Sequence, residues 1–309
     1  MSITSEQAMG LTIEEIALAH YLPAKAKRRR ANTVEGYESS IRLHVLPRFG
    51  GLAIAELGRN AIQDWVDELA GTCGPGGAWK AYKCLRQVIR WAIREWALLV
   101  VDVTVGIERP RRPAYRPKTL TPKQLNERVR GMWGHRHEAT HILSAALGLR
   151  PGEAYALEWA DISWRDGAVR VSKTLQQSKG GVLHVYPTKT EQGDRILYLP
   201  RWARERLHAL WVAAGRPKGR IIGDATPAAV SAAIRRHIAR EHLPEVTMQC
   251  LRHTWATIAS GAGVAIETIA RFLGHTSLDM AYEHYMRPSK AVYVDAQRAV
   301  ARAVMGGTM

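Results

Sequence analysis

The chain has 309 residues, of which 46% are hydrophobic and 23% are charged, and this composition is typical of folded globular proteins. Its Lys and Arg residues exceed its Asp and Glu residues by 16 formal charges. Such a surplus favours a polyanionic partner, bound more weakly as the salt concentration rises. A ribosome-associated or merely basic protein is the alternative that charge alone leaves open. The length favours two domains, each with its own core.

Several classes of protein are disfavoured by simple features of the sequence. The best apolar run, from Trp96 to Val101, is far shorter than a membrane-spanning helix, which needs about 20 residues. The N-terminus lacks the basic and apolar blocks of a signal peptide. Three scattered cysteines argue against a disulfide scaffold and against a cysteine-based zinc site. We therefore expect a cytoplasmic protein.

The first domain, over residues 11–105, is predicted to be all-helical. Thr12 is a good helix N-cap because Glu15 follows three residues later and an apolar run comes next. Apolar spacing and turn residues predict three further helices. They run from Asn32 or Thr33 to just before Pro47, from Ile62 to Leu69 with Gly71 as the stop, and from Ala78 to Leu99.

Two basic segments are candidate DNA contacts. The first lies between the first two predicted helices and comprises Lys25, Lys27, Arg28, Arg29 and Arg30. The second is a linker over residues 106–118, where three prolines keep the backbone extended. Its arginines are Arg109, Arg111, Arg112 and Arg116. A solvated surface without a partner is the alternative interpretation of both segments.

The second domain, over residues 119–309, is predicted to mix helices with a small sheet. Thr121 and Pro122 form a helix start. Period-two patterns predict three strands over residues 168–173, 182–186 and 195–199, the last two joined by a hairpin turn over 188–194. Other helices are predicted over 137–149 and from Pro151, Trp202, Thr226, Leu251, Val264, Ser277 and Lys290. The expected fold class is mainly α, with an all-α domain followed by an α+β domain that holds a three-stranded antiparallel sheet.

A set of residues in the second domain suits an attack on a phosphodiester. Arginine binds phosphate oxygens through a planar fork of donors, and tyrosine is a known covalent nucleophile. Glu153 follows Arg150 by three residues and is placed to hold its guanidinium. The members of the set are Arg150 in A-L-G-L-R-P-G-E, Lys189 in the hairpin turn, and Arg252, His275 and Tyr285 in the stretch from Gln249 to Tyr285.

The segments A-L-G-L-R-P-G-E, L-R-H-T-W-A-T and F-L-G-H-T-S, in this order and spacing, resemble the tyrosine recombinase family. That family includes phage integrases and Xer-type resolvases, and the resemblance covers the chain nearly end to end. It implies a SAM-like core-binding domain followed by a catalytic domain. It further implies double-stranded DNA attachment sites as substrate and a homotetramer on synapsed DNA, with an accessory directionality factor as a further candidate partner. Neither a metal nor another cofactor is implied.

The resemblance also implies a role for each residue of the set. Arg150 and Arg252 would bind the non-bridging oxygens of the scissile phosphate, and His275 would donate a further hydrogen bond. Lys189 would protonate the leaving 5′ oxygen. Tyr285 would attack and form a 3′-phosphotyrosine. The implied activity is site-specific recombination with type IB topoisomerase-like chemistry, used to integrate or excise a phage or mobile element.

One position departs from the pattern of the family. Gln249 stands where the family usually has a histidine, three residues before the second arginine. A glutamine side chain cannot take up a proton at neutral pH. Three outcomes stay open: a slower enzyme, assistance from another group such as His284, or a DNA-binding relic without catalysis. Tyr282 is a second candidate for the nucleophile. Lys173 and Lys179 are the alternatives to Lys189.

Other interpretations of single motifs explain less of the sequence. The string H-E-A-T-H over 137–141 matches the zinc-protease pattern, but its helix needs apolar residues for a core, and the string explains neither the charge nor the later motifs. Residues 264–285 alone suit a helix-turn-helix that reads bases, which leaves Arg150 and Lys189 unexplained.

The ends of the chain give further expectations. About ten residues precede the first domain, so we expect no separate arm-binding domain and either a simple integrase or a Xer-like resolvase. The residues after Tyr285 carry an apolar stripe that suits packing either into a neighbouring subunit or onto the same domain. The stripe consists of Val292, Ala296, Ala299, Val300 and Ala303.

Overall fold

A computed structural model describes residues 4–98, 100–111, 117–188 and 191–274. The chain divides into two compact units, Met1–Tyr115 and Arg116–Met309. Helices make up the regular elements described in the first unit, and the second combines helices with small antiparallel sheets, which confirms the predicted fold class. Among the described residues, no helix is both long and apolar enough to cross a membrane.

Helices of the first unit follow one another with short connections. Thr12 caps the second helix, because its hydroxyl accepts from the backbone N–H of Glu15 at 3.2 Å while the Glu15 carboxylate accepts from the Thr12 N–H at 2.9 Å. This capping box confirms the predicted start. The helices are α1 (Ser5–Met9), α2 (Ile13–Glu15, a π-helical stretch Ile16–Tyr21, then Leu22–Ala26), α3 (Ala31–Ser40, a π-helical stretch Ile41–Val45, then Leu46–Phe49) and α4 (Arg59–Glu95).

Three predicted helix ends in the first unit are wrong. The helix predicted to reach residue 99 ends at Glu95, and Ala97 just beyond it has a left-handed φ of 48°. The helix α3 continues through Pro47 to Phe49. A π-helical stretch precedes the proline and changes the hydrogen-bond register, so that Pro47, which lacks an N–H, lies near the start of a new α-helical turn. Gly71 does not stop the third predicted helix. The helical path breaks only at Gly74, whose φ of 76° and ψ of 161° suit glycine, and Pro75 follows the break.

A core of aliphatic and aromatic side chains holds the first unit together. Phe49 and Trp65 make an edge-to-face contact with 5.1 Å between ring centroids, and the Tyr82 hydroxyl donates to the carbonyl of Thr104 at 2.6 Å. Ile107 is also buried in this core, and the N–H of Glu108 donates to the side chain of Gln63 at 2.8 Å. The first residues of the predicted linker are therefore attached to the first unit. The domain bounds derived from the sequence stay a prediction.

The second unit begins as the sequence predicted. The Thr121 hydroxyl accepts from the N–H of Gln124 at 3.3 Å, and Pro122 occupies the first helical position. The helices are α5 (Pro122–Gly131), α6 (Glu138–Leu147), α7 (Pro151–Ala156), α8 (Arg201–Ala213), α9 (Pro227–Arg240), α10 (Met248–Gly261) and α11 (Ile266–Leu273). The helices predicted from Ser277 and Lys290, and the apolar stripe after Tyr285, lie outside the described residues.

The strands pair differently from the prediction. The described strands are β1 (Ala168–Val171), β2 (Lys173–Gln177), β3 (Leu183–Pro187) and β4 (Arg195–Tyr198). Antiparallel ladders join β1 to β4 and β2 to β3, so the last two predicted strands do not pair with each other. The pairing strand changes from β4 to β3 at Ser172, which lies between β1 and β2. The Ser172 carbonyl accepts from the N–H of Thr188 at 3.0 Å. Alternation alone predicts a strand but not its partner.

A group of histidines lies beside the buried helix α6. His141 is fully buried, and neither of its ring nitrogens has a hydrogen-bond partner among the residues that the structure describes. Burial, together with the positive charge of Arg128 and the nearby His135 and His237, lowers its pKa to about 3. Burial, together with the neighbouring His237 and His137, likewise lowers the pKa of His135 to about 4. These side chains are therefore kept neutral in the folded protein.

We predict that this group makes the second unit sensitive to acid. The folded pKa of His141 lies below the unfolded value of 6.5. The contribution of neutral His141 to the free energy of unfolding is therefore present above pH 6.5 and is lost as the pH falls toward the folded pKa. For His141 alone, the free energy of unfolding should fall by about 2 kcal/mol between pH 7 and pH 5. Urea unfolding of wild type and His141→Leu at both pH values measures this loss.

The leucine variant removes the titrating ring and its unpartnered nitrogens, so its free energy of unfolding should depend less on pH. His242→Asn is the matched control, because position 242 is exposed and has a φ of 51°, which asparagine tolerates. Equal losses between pH 7 and pH 5 in wild type and His141→Leu would contradict the prediction.

Candidate active site

Arg150 lies between two helices and is held by Glu153. Helix α6 ends at Gly148, which has a left-handed φ of 57°, and Arg150 is the N-cap of α7. The Arg150 backbone N–H donates to Glu153 Oε2 at 3.0 Å, and Arg150 Nη1 donates to Glu153 Oε1 at 2.8 Å. The ion pair expected from the sequence is therefore present. The Arg150 side chain remains 40% exposed, so its guanidinium is accessible from solvent.

Arg252 reaches the same place from helix α10. Thr247 caps this helix by accepting from the N–H of Cys250 at 3.1 Å, so the helix begins three residues before the predicted Leu251. Arg252 is only 2% exposed. Its Nη1 donates to the carbonyl of Gly148 at 3.1 Å, and its Nη2 donates to the carbonyl of Leu273 at 2.6 Å. The second arginine therefore connects the end of α6 with the end of α11.

The C-terminal carbonyls of α11 collect hydrogen bonds from three guanidinium groups. Arg195 Nε donates to the carbonyl of Phe272 at 2.7 Å, and Arg252 Nη2 donates to that of Leu273 at 2.6 Å. Arg150 Nη2 donates to the carbonyl of Gly274 at 3.0 Å, with a longer contact of 3.4 Å from Nη1 to Leu273. A helix C-terminus has carbonyls without intrahelical partners and carries partial negative charge, so cations stabilise it.

Gly274 permits this close packing. It has a left-handed φ of 67°, and a Cβ at this position would lie 2.8 Å from the carbonyl oxygen of Gln192 and 3.2 Å from Arg195 Nη1. The C-terminal turn of α11 therefore packs against the segment that leads into β4. Two rings add to this packing, because Trp255 of α10 stacks on Phe272 with 4.1 Å between centroids.

Arg195 has no role in the prediction from sequence, although the structure places it at the centre of the site. Its Nη2 donates to Glu153 Oε2 at 3.0 Å, and its Nη1 contacts Glu153 Oε1 at 3.3 Å and the carbonyl of Gly193 at 3.1 Å. The side chain is 8% exposed. The available signal was an arginine at the first position of a predicted strand, directly after the turn that contains Lys189.

Glu153 is a buried carboxylate between two arginines. Burial alone would raise its pKa, but the hydrogen bond and charge of Arg195, together with the charge of Arg150, outweigh burial and hold the pKa below its ordinary value. Glu153 is therefore ionised at neutral pH, and it offsets part of the positive charge that the arginines bring together.

The candidate lysines differ in their surroundings. Lys173 pairs with Glu158 at 2.9 Å and with Asp161 at 3.3 Å. Burial would lower its pKa, but these carboxylates outweigh burial and raise the pKa above its ordinary value. Lys179 lies in the exposed connection between β2 and β3. Lys189, the residue preferred from the sequence, lies outside the described residues.

Several other predicted residues also lie outside the described residues. They are His275, His284, Tyr285 and the alternative Tyr282, together with Arg112 and Arg116 of the predicted linker. Gln249 is described and is exposed in the first turn of α10, one turn before Arg252. A cavity of about 580 Å³ opens beside it, lined among others by Pro151, Tyr155 and Arg235.

Comparison with known proteins decides the family. Residues 120–291 match the phage integrase family, and residues 15–70 match the family of phage integrase N-terminal SAM-like domains. The first match covers more than half of the chain. The chain belongs to the phage integrase family. It is therefore a tyrosine recombinase, an enzyme that performs site-specific recombination of DNA, as the sequence motifs predicted.

Individual relatives agree with this assignment. The recombinase is 27% identical to the tyrosine recombinase XerD of Ralstonia nicotianae over 83% of its own length and 84% of the relative's. It spans 53% of a XerC-like tyrosine recombinase of Caldanaerobacter subterraneus, at 24% identity over 58% of its own length. Its fold resembles that of the Tn1549 transposon integrase bound to transposon right end DNA, with a TM-score of 0.78, 16% identity and coverage of 94% and 100%.

A second structure with the same fold is an assembled one. It is a lambda integrase tetramer bound to a Holliday junction, with a TM-score of 0.67 and 18% identity. The similarity covers 91% of this recombinase and 80% of the lambda integrase chain. At these identities, the two solved structures establish a shared fold.

The first basic segment of the recombinase lines a groove in the first unit. The groove has a volume of about 870 Å³ and includes Trp91 and Arg94 of α4. Burial lowers the pKa of Lys25, and the charges of Arg29, Arg94 and Arg28 lower it further. The other lining residues are Ala24, Lys25, Lys27, Arg28, Arg29 and Glu95, whereas Arg30 is half-buried outside this lining. The groove therefore concentrates positive charge.

In the second predicted segment, Arg109 lies over the ring of Trp79, with its guanidinium carbon 5.8 Å from the ring centroid, and Arg111 is exposed.

The H-E-A-T-H string of the recombinase is part of the core. Glu138 is 1% exposed, accepts from Arg206 Nε at 2.6 Å and Nη2 at 3.0 Å, and accepts from the N–H of Gly134 at 2.7 Å. His137 and His141 are buried. Within the described ranges, no group of three or more His, Cys, Asp or Glu side chains is arranged to hold a metal ion. The glutamate is thus the buried partner of an ion pair with Arg206, which is half-exposed.

We predict that Glu153 is required for the stability of the second unit. Glu153→Gln leaves the buried guanidinium of Arg195 without its carboxylate, so the free energy of unfolding should fall by about 3 kcal/mol at pH 7. Urea unfolding measures this change. Since the folded pKa of Glu153 is lowered, the contribution is present above pH 4.5 and is lost as the pH falls through the folded pKa.

Glu205→Gln is the matched control, because it removes the exposed ion pair of Arg201 and Glu205 and should leave the free energy of unfolding close to that of wild type. A loss in Glu153→Gln no larger than the loss in this control would contradict the prediction.

Proposed function

We propose that this recombinase cleaves and rejoins DNA through a 3′-phosphotyrosine and thereby integrates or excises a phage or other mobile element. One observation carries the proposal. Arg150 and Arg252 donate to the same carbonyl, that of Leu273, two residues before His275. Two guanidinium groups and the C-terminal turn of α11 are thus held together, which suits the binding of one scissile phosphate.

The two arginines would act on the phosphate in different ways. The exposed Arg150 would clamp a non-bridging oxygen, because a planar fork matches the geometry of a phosphate. Arg252 would add positive charge from a buried position, where the screening by water is weak. Both charges are already in place before the negative charge develops in the transition state, and such preorganisation is usually the largest single contribution to catalysis.

The remaining groups of the proposal complete the bond exchange. The Tyr285 phenol loses its proton to water and its oxygen attacks phosphorus while the bond from phosphorus to the 5′ oxygen breaks. Lys189 donates a proton to that leaving oxygen. His275 donates a hydrogen bond to the phosphate. A 5′ hydroxyl from a partner strand then attacks the phosphotyrosine, which releases the tyrosine and forms the new junction. The covalent intermediate conserves the phosphodiester bond energy, so the scheme needs no ATP.

On this proposal, Gln249 affects the rate of DNA cleavage. Its amide can orient the phosphate or the phenol by hydrogen bonding but cannot accept the phenol proton. General base catalysis typically contributes at least about a hundredfold, so the loss of the usual histidine predicts slow cleavage unless His284 assists.

DNA attachment sites and four copies of the chain form the proposed working complex. The lambda integrase structure is a tetramer on a Holliday junction, and two duplexes with two cleaved strands each require four active sites. The basic groove in the first unit would contact the phosphate backbone. A Xer-like resolvase is the second candidate, because XerD is among the relatives. A directionality factor is a candidate partner, and the cytoplasm is the proposed compartment for these reactions on DNA.

Covalent trapping tests the proposed chemistry. Wild type, Tyr285→Phe and Tyr282→Phe are incubated without magnesium on a nicked attachment-site duplex, or on sequence that flanks the gene, and are then run on a denaturing gel. We expect a protein–DNA adduct with wild type and Tyr282→Phe and none with Tyr285→Phe, because only the nucleophile is indispensable for the covalent bond.

An adduct that survives Tyr285→Phe and is lost in Tyr282→Phe would move the nucleophile to Tyr282. DNA binding without any adduct would contradict the proposed chemistry. In that case Gln249→His becomes the deciding variant, because an adduct gained by restoring the histidine would identify a recombinase that lost its base.

Salt dependence tests the proposed DNA contact of the basic groove. We expect the triple variant Lys27→Ala, Arg28→Ala and Arg29→Ala to bind the site more weakly. The slope of log K against log salt should become less steep by about 0.9 for each lost phosphate contact. Titrations between about 50 and 200 mM NaCl measure this slope. The charge-matched control removes the exposed Arg165, Arg201 and Lys218, and its slope should equal that of wild type. Equal slopes in both triple variants would remove the groove from the DNA interface.

A further inference from the structure

We propose that Arg195 is a positioning residue for cleavage, which holds the Arg150 guanidinium in its working orientation through two shared partners. The inference rests on the proposed function, in which Arg150 clamps the scissile phosphate. It gives a catalytic purpose to a residue that the sequence motifs left without one.

The first shared partner is the carboxylate of Glu153. Arg195 Nη2 donates to Oε2 at 3.0 Å, and the Arg150 backbone N–H donates to the same oxygen at 3.0 Å. Arg195 Nη1 and Arg150 Nη1 meet at Oε1, at 3.3 and 2.8 Å. Each oxygen of the carboxylate is therefore held by both arginines. Rotation of the Glu153 side chain would break contacts to both, so Arg195 fixes the group that orients Arg150.

The second shared partner is the C-terminal turn of α11. Arg195 Nε donates to the carbonyl of Phe272 at 2.7 Å, and Arg150 Nη2 donates to that of Gly274, two residues later, at 3.0 Å. Gly274 lies so close to Arg195 that an added Cβ would be 3.2 Å from Nη1. Arg195 therefore limits movement of the turn against which Arg150 rests.

Arg195 itself is not available to the substrate. Its guanidinium donates to Phe272, Glu153 and Gly193, and its side chain is only 8% exposed, against 40% for Arg150. These donors point to fixed protein acceptors in directions that a planar fork provides. An ammonium group would keep the charge but not the directions. Arg195 thus acts through Arg150 rather than on the phosphate.

The experiment compares Arg195→Lys and Arg195→Gln with wild type on the full chain. Urea unfolding and the Kd for attachment-site DNA are measured first, and then the single-turnover rate of adduct formation on the nicked duplex. We expect folded variants whose Kd changes by about threefold or less and whose cleavage rate falls by about a hundredfold, since small misplacements of a clamping group cost rates of this order. Arg170→Lys, an exposed arginine of β1 that pairs with Asp194, is the matched control and should cleave at the wild-type rate.

A double-mutant cycle separates positioning from general weakening of the fold. Once Arg150→Lys has removed the fork that Arg195 holds, adding Arg195→Lys should slow cleavage by only about twofold or less. A variant that merely weakens the fold would slow cleavage by the same factor in both backgrounds, and that result would overturn the inference. If Arg195→Gln unfolds, Arg195→Lys alone carries the cycle, because it retains the charge beside Glu153.

A substrate with sulfur at the 5′ bridging position excludes a second route, through the turn that contains Lys189. A thiolate leaves without a proton, so this substrate bypasses the general acid. Because Arg150 acts on the phosphate, the loss in Arg195→Lys should persist on the sulfur substrate. Restoration of the wild-type rate on that substrate would overturn the inference, since it would assign Arg195 to proton delivery.

Wild type in the same assays keeps the two proposals apart. A wild type that forms no Tyr285-dependent adduct contradicts the proposed function. A wild type that forms this adduct at the same rate as both Arg195 variants contradicts only the inference about Arg195.

Discussion

The structure of the second unit depends on the way in which three buried or half-buried guanidinium groups are held together. Like charges at close range repel, and a buried charge without a partner is costly. Glu153 and the three terminal carbonyls of α11 provide the opposing charge and the acceptors. Among the described residues, three arginines against one carboxylate leave the cluster positive, so on the proposed function the cluster that stabilises the fold also attracts a phosphate.

These contacts join parts of the chain that are far apart in sequence. Arg150 follows α6, Arg195 begins β4, Arg252 lies in α10, and all three meet the last turn of α11. The site can form only when these elements have packed, so the same hydrogen bonds complete the fold and assemble the chemistry. Gly148 and Gly274, both in the left-handed region, let helix ends approach this closely. A side chain at Gly274 would displace the turn that the arginines share.

Local signals in the sequence predicted local features of the fold well. Capping at Thr12 and Thr121 and the proline starts at Pro122 and Pro151 depend on neighbouring residues only, and the structure has them. The continuation of α3 through Pro47 depends instead on a π-helical stretch, which no residue type in the sequence predicts. The partners of the strands depend on the change at Ser172, and the importance of Arg195 depends on a carboxylate and a helix end that only tertiary packing brings near. Family motifs supplied the proposed roles of Arg150 and Arg252, but a supporting residue outside these motifs has no such signature.

The positive charge of the cluster also bears on the glutamine at position 249. A phenol that approaches a phosphate held by guanidinium groups loses its proton in a positive field, and that field stabilises the phenolate. The more of the deprotonation cost this field offsets, the less the reaction needs a basic side chain beside the nucleophile. Gln249, exposed one turn before Arg252, can then contribute by orientation alone. On the proposed mechanism, the rigidity of the arginine cluster therefore limits how much activity the missing histidine costs.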